Sequence, residues 1–454
     1  MTSRPLLTIV LAAGKGTRMK SALPKVLHKV GGLSMLGHVL GTAAQVGAHR
    51  TAVVFGPAMD AVRAEALKRS PGADNFVQDQ QLGTAHAVLA AREAIAAHRG
   101  DVLVVFSDTP LIEAGTLKAL TAQLNESTPL AVLGFTAADP TGYGRMLCDK
   151  DGNLLAIREH KDATEAERSI AFCCSGVMAF RGETMLGILD RIGTSNAQGE
   201  YYLTDAVALA RADGYRVATQ NCAEEEVLGI NARGQLAAAE SVFQRRRRAQ
   251  AMADGATLIA PETVWFSHDT VIGRDVVIEP NVFFGPKVRI EDNVTIHANC
   301  HIEGARLSDG VEVGPFARLR PGAELDSGVK IGNFVEVKNV RMGPGAKANH
   351  LAYLGDGDVG AKANIGAGTI FCNYDGFFKH RTTVGEGAFV GSNSALVAPV
   401  TIGAGAFVGS GSVITKDVPP DSLALERSEQ DVREGWAAKF RTMMQRRKAA
   451  ARKT

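Results

Sequence analysis

The feature that most constrains this chain is a six-residue spacing of apolar residues that begins after Ile259. A second apolar series runs four residues ahead of the first, and glycine commonly follows a residue of the first series. Neither an α-helix nor an alternating hairpin has a period of six, whereas a prism-shaped parallel β-helix has one flat side per hexapeptide. The spacing therefore predicts a parallel β-helix and argues against an ordinary all-β sandwich. The first series comprises Ile272, Ile278, Phe284, Ile290, Ile296, Ile302, Val313, Leu319, Leu325, Ile331, Val337, Val359, Ile365, Phe371, Val384, Val390, Leu396, Ile402, Val408 and Ile414.

Two stretches, residues 338–358 and 372–383, interrupt this spacing. Departures from a repeat are where function is commonly grafted onto a repetitive fold. We therefore expect the functional residues of this half within them. The polar and aromatic candidates are Lys338, His350, Tyr353, Asn373, Tyr374 and Lys379.

From residue 5 to about 230, short apolar runs alternate with helical patterns. This alternation predicts a doubly wound α/β domain whose ligands lie at the carboxyl ends of its strands. We place this domain at 1–232, a connecting helix at 233–254, and the β-helix with a C-terminal tail at 255–454. The four arginines 245–248 are expected to form a solvated face of the helix.

The α/β half opens with a strand-like run that leads directly into LAAGKGTRMKSALPK, residues 11–25. Gly14 and Gly16 let the backbone approach a ligand closely, and Lys15, Arg18 and Lys25 add positive charge. The loop has neither the GxxxxGK[ST] nor the GxGxxG pattern. These features predict a polyphosphate site.

Two further segments fit such a site. The buried-strand run 104–112 carries Asp108 at its end, and a carboxylate beside a polyphosphate can hold Mg²⁺, which prefers oxygen ligands. The segment QLGTAHA, residues 81–87, places a glycine and a threonine before a helical pattern. Its backbone groups are suited to contacts with a base or ribose.

Composition narrows the function classes. The 50 lysines and arginines nearly balance the 48 aspartates and glutamates, so nothing points to nucleic acid as a partner. The six cysteines show no CxxC spacing, which suits a reduced compartment. No apolar run approaches the ~18 residues of a membrane span and no secretory leader pattern is present, so we expect a cytoplasmic protein with no membrane partner.

Longer motifs point to a family. The pattern Gly-x-Gly-Thr-Arg-Met followed by Pro24-Lys25 resembles the nucleotide-binding stretch of sugar-1-phosphate nucleotidyltransferases. Further motifs narrow the resemblance to the bifunctional N-acetylglucosamine-1-phosphate uridylyltransferases/glucosamine-1-phosphate N-acetyltransferases. These motifs are TGYGR (141–145), EHKDA (159–163), NAQGEYYLTD (196–205) and Gly229-Ile230-Asn231.

The resemblance implies a Rossmann-like nucleotidyltransferase domain followed by a left-handed parallel β-helix of hexapeptide repeats. It implies acetyl-CoA-dependent N-acetylation of glucosamine-1-phosphate, then uridylyl transfer from UTP to N-acetylglucosamine-1-phosphate with release of pyrophosphate. The product would be UDP-N-acetylglucosamine for cell-envelope polysaccharides. Mg²⁺ is the implied metal, and a homotrimer the implied assembly.

In the first half, the resemblance implies that Arg18 and Lys25 act on the UTP phosphates and that Asp108 and Asn231 hold the metal. The uracil and the sugar would be read by residues from several segments. The implied substrate-binding residues are Leu11, Ala12, Ala13, Gly14, Gln78, Gly83, Thr84, Gly144, Glu159, Cys174 and Asn231.

Two positions depart from the family pattern. The family normally has an asparagine that would hydrogen-bond the sugar where this chain has Cys174, and cysteine supplies no amide. We therefore expect weaker sugar binding or a substituted partner. Ser107 stands where glycine commonly precedes the metal aspartate.

In the second half, the resemblance implies that His350 accepts a proton from the sugar amine, with Glu336 as the candidate that orients it. Arg320 and Lys338 would bind the sugar phosphate. The implied sugar-site residues also include Tyr353, Asn364 and Lys379, and those implied for acetyl-CoA are Ala367, Asn373, Tyr374, Ser392, Ser410 and Arg427.

Two other functions stay open at this point. The β-helix could be a regulatory, oligomerising module attached to a nucleotidyltransferase, because the same fold serves both purposes. The chain could also be a non-enzymatic sugar-nucleotide sensor, which the Cys174 departure would suit.

Overall fold

The computed structural model describes residues 4–14 and 16–451, so Lys15 of the expected phosphate loop lies outside the described residues. The chain forms two compact units. The first comprises residues 1–251 with 265–269, and the second comprises 252–264 with 270–454. Among the described residues, no helix has the length and apolar content that a membrane crossing requires.

The first unit is built on a nine-stranded sheet whose main path runs β11-β7-β10-β6-β1-β4-β5, with β8 and β9 branching from β10. Its strands pair in parallel except along β10, which is antiparallel to both β6 and β7, and in the branch. The strands of this unit, including a small hairpin of β2 and β3, are β1 Leu6–Ala12, β2 Lys29–Val30, β3 Leu33–Ser34, β4 Arg50–Phe55, β5 Asp74–Val77, β6 Asp101–Phe106, β7 Leu130–Thr136, β8 Gly144–Cys148, β9 Leu154–Arg158, β10 Phe172–Arg181 and β11 Val217–Cys222.

Helices cover both faces of this sheet. Side chains alternate across a strand, so Leu7 and Ile9 of β1 join one core layer and Leu6 and Val10 the other. Strands buried on both faces explain the continuous apolar runs of the sequence. The helices are α1 Met35–Val46, α2 Asp60–Arg69, α3 Thr84–Leu89, α4 Arg92–Ala96, α5 Ala114–Thr121, α6 Glu165–Arg168, α7 Gly182–Leu189, α8 Ala206–Ala212 and α9 Arg233–Ala253.

Helix α9 occupies the stretch where the helix was expected, and most of it belongs to the first unit. Its arginines are not a free basic face. Arg245 forms an ion pair with Glu225, and Arg246 Nη1 donates to the carbonyl of Leu111 at 2.7 Å. Long basic side chains of this helix therefore tie it to its own domain.

The second unit is a parallel β-helix, as the six-residue period predicted. Each short strand pairs with the strand three hexapeptides further on, for example Ile278 with Ile296 and Phe284 with Ile302. The strands are β12 Thr257–Leu258, β13 Val271–Ile272, β14 Val277–Ile278, β15 Phe283–Phe284, β16 Arg289–Ile290, β17 Thr295–Ile296, β18 His301–Ile302, β19 Ala305–Leu307, β20 Glu312–Val313, β21 Arg318–Leu319, β22 Ala323–Leu325, β23 Lys330–Asn333, β24 Glu336–Met342, β25 Lys347–His350, β26 Tyr353–Val359, β27 Asn364–Ile365, β28 Ile370–Cys372, β29 Thr382–Val384, β30 Phe389–Val390, β31 Ala395–Val397, β32 Val400–Ile402, β33 Phe407–Val408, β34 Val413–Ile414 and β35 Leu423–Ala424.

Both apolar series lie inside the helix, where they stack coil upon coil. Ile296, Val313 and Ile331 are almost fully buried, and so are Val276 and Val294 of the second series. Because three hexapeptides complete one coil, like residues meet in successive coils and the interior becomes a continuous apolar column.

The two interruptions of the period differ in structure. Residues 338–358 remain within the β-helix, because β24, β25 and β26 fill them with coils that are one residue short of three hexapeptides, as in the pairing of Glu336 with Tyr353. In the stretch 372–383 the chain leaves the β-helix and returns to it. The coil from Asp358 to its partner Thr383 is longer than a regular coil by more than six residues. We call residues 373–381 the β-helix loop.

Beyond the β-helix, α10 runs over Trp436–Ala451. Its side chains are exposed throughout, and the rings of Trp436 and Phe440 stack with centroids 5.1 Å apart.

Candidate functional sites

A cavity of about 340 Å³ lies at the carboxyl ends of the central strands of the first unit. Loops that follow β1 and β6 line it, as the doubly wound topology requires. Of the expected site residues, Leu11, Ala13, Gly14, Lys25, Gln78, Gly83, Thr84 and Asp108 line the cavity, together with Val26, Gln81, Ala87, Phe106, Ser107 and Glu200.

Three residues that were expected in the site come from distant segments and meet at the side-chain nitrogen of Lys25. Lys25 Nζ lies 2.6 Å from Asp108 Oδ2 and 3.0 Å from Asn231 Oδ1. The backbone also joins these segments, because the Ile230 amide donates to the carbonyl of Asp108 at 3.0 Å. The side chains of Lys25 and Asp108 are 9% and 20% exposed, so this ion pair is poorly screened by solvent.

The loop after β1 is shaped around Lys25. Gly16 adopts a left-handed conformation with φ of 63°, and a Cβ at this position would overlap the Cβ of Lys25. Only glycine combines that backbone with so close an approach. Arg18 is exposed and forms no ion pair with the described residues.

Polar groups on the opposite wall are held by local hydrogen bonds. Gln78 is buried, and its Nε2 donates to the Gly83 carbonyl at 3.1 Å and contacts His86 Nδ1 at 3.2 Å. Thr84 Oγ1 accepts from the Leu203 amide at 2.9 Å. These bonds fix the orientation of both side chains, and the Oε1 atom of Gln78 stays available as an acceptor.

The sugar-contact candidates lie together on β8, on β10 and directly after β9. A Cβ on Gly144 would lie 3.4 Å from Glu159 Oε1, and Gly144 pairs with Cys174 across the strands. Glu159 Oε1 also accepts from Thr204 Oγ1 at 2.9 Å. Burial, supplemented by the nearby charges of Asp205 and Asp162, raises the pKa of Glu159.

Cys174 is only 6% exposed and belongs to the apolar core. Burial raises the pKa of its thiol to about 12, so the sulfur is neutral at physiological pH. Its Sγ accepts from the Gly176 amide at 3.2 Å. The departure at this position therefore places a small, neutral thiol beside Glu159, and the sulfur of this thiol already accepts a hydrogen bond from the backbone.

Ser107 has a structural use. It is buried, and its hydroxyl donates to the carbonyl of Leu11 at 2.7 Å. This bond ties the end of β6 to the end of β1, directly beside Asp108.

Asp108 and Asn231 fit a magnesium site by their chemistry. Carboxylate and amide oxygens are the hard ligands that Mg²⁺ prefers, and this ion commonly uses one or two protein oxygens plus substrate phosphates. The two oxygens already converge on a cation, the Lys25 ammonium.

In the second unit, the sugar-phosphate candidates lie one above another. Arg320 and Lys338 occupy equivalent places in successive coils of one face. Arg320 Nη1 donates to Glu336 Oε1 at 2.8 Å, and Lys338 Nζ lies 3.5 Å from Asp356 Oδ1. Tyr353 begins β26 on the same face, whereas Asn364 lies on β27 of another face.

His350 is exposed, and its Nδ1 lies 2.7 Å from Asn333 Oδ1. Within the chain Glu336 bonds to Arg320 and does not contact His350, for a reason of register. Asn333 pairs with His350 across neighbouring coils, whereas Glu336 pairs with Tyr353. Asn333 was missed because its separation from His350 is set by the length of the coil, which departs here from the regular repeat.

The acetyl-CoA candidates continue the column of His350. The pairing of β25, β27, β30 and β33 places Ala367, Ser392 and Ser410 in successive coils at the same turn as His350. Ser392 and Ser410 are exposed, and Arg427 Nη1 donates to the carbonyl of Ser410 at 2.9 Å. One edge of the β-helix thus presents a line of small residues above the histidine.

The β-helix loop holds the remaining candidates. Lys379 Nζ lies 4.3 Å from the ring centroid of Tyr374, a cation–π contact. Asn373 is buried and bonds to Asp356 at 2.5 Å. No described hydrogen bond or ion pair joins Lys379 or Lys338 to His350.

A nucleotide cavity at the carboxyl edge of a doubly wound sheet, followed by a β-helix with a histidine on its edge, defines a nucleotidyltransferase joined to a hexapeptide acyltransferase. Family models agree. Residues 8–170 match the MobA-like NTP transferase domain, and residues 269–304 and 381–416 match the bacterial transferase hexapeptide of six repeats.

Full-length relatives identify the family. The bifunctional protein GlmU of Azorhizobium caulinodans is 59% identical over 97% of this chain and 98% of the relative. The GlmU proteins of Xanthobacter autotrophicus (59%, 97% and 98%) and Chelativorans sp. (56%, 99% and 99%) are similarly related. A solved UDP-glucose pyrophosphorylase complexed with UDP-glucose covers 54% of this chain and 100% of its own at 17% identity with a TM-score of 0.45, too distant to add to the assignment.

The chain therefore belongs to the bifunctional GlmU family. The function expected from the motifs is confirmed: the chain is a glucosamine-1-phosphate N-acetyltransferase and an N-acetylglucosamine-1-phosphate uridylyltransferase. A purely regulatory β-helix and a non-enzymatic sensor are not favoured.

Proposed function

We propose that the convergence of Lys25, Asp108 and Asn231 in the first cavity carries uridylyl transfer from UTP. The reaction is an in-line attack of the sugar-phosphate oxygen on the α-phosphorus of UTP, which breaks the bond to pyrophosphate. Such a step needs alignment and neutralisation of charge more than a protein base. Lys25, buried beside the cavity, and Arg18, exposed on the loop, supply positive charge to the phosphates.

Mg²⁺ would be held by Asp108 and Asn231, where it supplies further neutralisation of the phosphate charge. Leu11, Ala13 and Gly14 border the same cavity, and their main-chain groups, with those of Ala12 between them, suit the nucleotide. Gln78 offers Oε1 to the imide N–H of uracil, since Gly83 and His86 already occupy its Nε2.

The sugar lies against Gly144, Glu159 and Cys174 in this proposal. Glu159 accepts a hydrogen bond from a sugar hydroxyl, and the absence of a side chain at Gly144 keeps that carboxylate accessible. Cys174 contributes a neutral thiol in place of an amide.

His350 is the proposed base of acetyl transfer. An amide oxygen can only accept, so the contact with Asn333 Oδ1 assigns the proton of the neutral imidazole to Nδ1 and leaves Nε2 free to accept one. The amine nitrogen of glucosamine-1-phosphate forms a bond to the acetyl carbonyl carbon while the thioester bond breaks. The amine proton goes to Nε2 of His350, and the proton is returned to the departing thiolate of coenzyme A.

The acetyl donor extends along the column of Ala367, Ser392 and Ser410, with Arg427 at its far end. Small residues along this line leave room for an extended cofactor. Arg320 and Lys338 bind the phosphate of the sugar, and Tyr353, Asn364, Tyr374 and Lys379 complete the site.

A homotrimer brings the two groups of residues of the second site together. His350 and the Arg320–Lys338 column lie on opposite sides of a corner formed by Phe316, Phe334 and Leu351, which are 49%, 54% and 60% exposed. An exposed apolar corner of this kind is suited to burial against a second copy. A neighbouring copy placed there completes the site around His350.

The substrates UTP and acetyl-CoA are cytoplasmic metabolites, which supports a cytoplasmic enzyme. Its product, UDP-N-acetylglucosamine, is a precursor for cell-envelope polysaccharides.

A two-stage assay on the full chain tests the proposal. Glucosamine-1-phosphate is supplied with acetyl-CoA, and UTP with Mg²⁺ is then added while free thiol and pyrophosphate are measured. We expect thiol release first and pyrophosphate release only afterwards. The His350→Asn variant should lose the first signal and keep the second when N-acetylglucosamine-1-phosphate is supplied; unchanged thiol release would refute the role of His350.

A further inference from the structure

Asp356 is a buried carboxylate in the stretch 338–358, and it is not among the candidate residues named from the sequence. It lies at a corner of the β-helix, is 6% exposed, and has a left-handed backbone with φ of 52°. The same corner in earlier coils is occupied by Gly304, Gly322 and Asn339, all with positive φ. Glycine and asparagine satisfy this backbone without a charge, so the turn itself does not require a carboxylate.

Three donors surround the carboxylate. Asn339 Nδ2 donates to Oδ1 at 2.8 Å, Asn373 Nδ2 donates to Oδ2 at 2.5 Å, and Lys338 Nζ lies 3.5 Å from Oδ1. Burial by itself would raise the pKa of Asp356, but the two amide hydrogen bonds and the charge of Lys338 outweigh it and lower this pKa. Asp356 is therefore ionised at neutral pH.

Two of these donors belong to different parts of the acetyl-transfer site. Lys338 is the proposed ligand of the sugar phosphate, and its ammonium is held by Asp356 on one side. Asn373 begins the β-helix loop, and its carbonyl accepts from the His380 amide at 2.9 Å, which closes the base of the loop. Asn373 is 4% exposed, so its amide serves the loop base.

Gly355, which precedes Asp356, has no side chain, and this lets two side chains of the site pack against its α-carbon. A Cβ there would lie 2.5 Å from the Tyr353 hydroxyl and 2.7 Å from Asn373 Nδ2. The sugar-site tyrosine and the loop base are thus packed against the residue that precedes Asp356.

We propose that Asp356 is a positioning residue for acetyl transfer, which fixes the Lys338 ammonium and the base of the β-helix loop relative to one another. The inference rests on the proposed function of these residues. Asp356 touches neither substrate and acts through Lys338 and Asn373.

The Asp356→Asn variant tests this role, because it keeps the size of the side chain and removes its charge. We expect the KM values for glucosamine-1-phosphate and acetyl-CoA each to rise at least fivefold, with kcat changed less than threefold. Uridylyl transfer by the same chain, at the site of the first unit, should be unchanged and reports that the protein is folded. The matched control is Asp326→Asn, since Asp326 pairs with Arg341 at the protein surface, outside the β-helix loop, and should change neither KM by more than twofold.

An exchange of the two side chains gives a second test. Asn373→Asp alone places two carboxylates side by side and should impair acetyl transfer, whereas Asp356→Asn combined with Asn373→Asp restores a donor opposite an acceptor. The double variant should recover the KM for acetyl-CoA to within threefold of wild type. KM values of Asp356→Asn within twofold of wild type, or an equal effect of Asp326→Asn, would overturn the proposal.

Binding measurements separate this inference from the function on which it rests. The dissociation constant of glucosamine-1-phosphate, measured by calorimetry without turnover, should rise at least fivefold in Asp356→Asn. A His350→Asn variant that still transfers the acetyl group would refute the proposed site, and the role of Asp356 would still be judged by the dissociation constant. If wild type bound neither substrate, both proposals would fail.

Discussion

At the scale of single residues, this enzyme relies on a few buried or half-buried polar groups with fixed partners. Lys25, Glu159 and Asn333 each owe their chemistry to one or two contacts made by other segments of the chain. Burial strengthens such contacts because little water screens them. Single substitutions at these positions should therefore separate the roles of individual groups.

Lys25→Met should lower uridylyl transfer at least 100-fold, because it removes a buried cation from the phosphates and leaves Asp108 without its ion pair. Pyrophosphate release measures the effect. Lys29→Met, an exposed lysine of the neighbouring hairpin, is the control and should stay within twofold. An active Lys25→Met variant would contradict the assignment of this lysine to the phosphates.

Cys174→Asn should lower the KM for N-acetylglucosamine-1-phosphate about 2- to 10-fold, the value of one hydrogen bond of ~0.5–1.5 kcal/mol. An amide at this position can reach the sugar that lies against Glu159, whereas the thiol is a weak donor. Steady-state kinetics with saturating UTP give the measurement. An unchanged KM would show that the departure has no effect on sugar binding.

Glu159→Gln should make the protein more stable at neutral pH and weaken its binding of the sugar. The folded-state pKa of Glu159 is raised above its ordinary value of 4.5, so its contribution to stability is full below that pH and is lost as the pH rises through the folded-state pKa. At pH 7 the variant should unfold at a higher temperature than wild type, and below pH 4.5 this difference should shrink. Its sugar KM should rise nevertheless. A lower melting temperature at pH 7 would contradict the sign.

At the scale of elements, the β-helix shows where a regular repeat has been modified. The corner column that contains Phe316, Phe334 and Leu351 has Asn281 and Asn299 before them and Gly368 after them. All have positive φ, which costs bulky side chains on the order of 1–3 kcal/mol each. Three strained and exposed apolar residues beside His350 favour a role in assembly over one in the stability of the single chain.

Phe334→Asn should therefore relieve backbone strain while it removes an apolar contact between copies. We expect the variant to remain folded. Its trimer should dissociate at a higher protein concentration than the wild-type trimer, and acetyl transfer should fall as the trimer is lost. Analytical ultracentrifugation gives the mass, and uridylyl transfer should be retained. Val271→Asn, which changes an exposed apolar residue on β13, a strand of neither face that meets at this corner, is the comparison. A variant with wild-type mass and acetyl transfer would contradict the interface.

At the scale of the whole molecule, the chain carries two sites on two separate compact units. Each site has its own substrates, and the product of the second unit is the substrate of the first. Because nothing in the chemistry requires both sites to lie on one chain, the intermediate should be able to diffuse between molecules.

A mixture of Lys25→Met and His350→Asn should therefore make UDP-N-acetylglucosamine from glucosamine-1-phosphate, acetyl-CoA and UTP, although neither variant does so alone. We expect at least a tenth of the wild-type rate, with a lag while the intermediate accumulates. Chromatography of the nucleotide sugars measures it. A mixture as inactive as its components would refute the diffusing intermediate.

Much of this architecture could be predicted from the sequence because its signals are local. The six-residue period directly reports the three flat sides of the β-helix, and the glycines and cations after β1 report a phosphate loop. Continuous apolar strands likewise report a sheet covered on both faces. Each of these patterns is imposed by neighbours within a few residues of one another.

Only the tertiary structure decided which distant groups share a site. Lys25 meets Asp108 and Asn231 although long stretches of sequence separate them, and the motifs name these residues without showing that they bond to one another. Within the chain, His350 contacts Asn333, its register partner in the preceding coil, and Asp356 joins Lys338 to Asn373 at a corner of the coils. Periodicity determines which side chains point inward, whereas the number of residues in each coil determines which side chains stack on one another in successive coils.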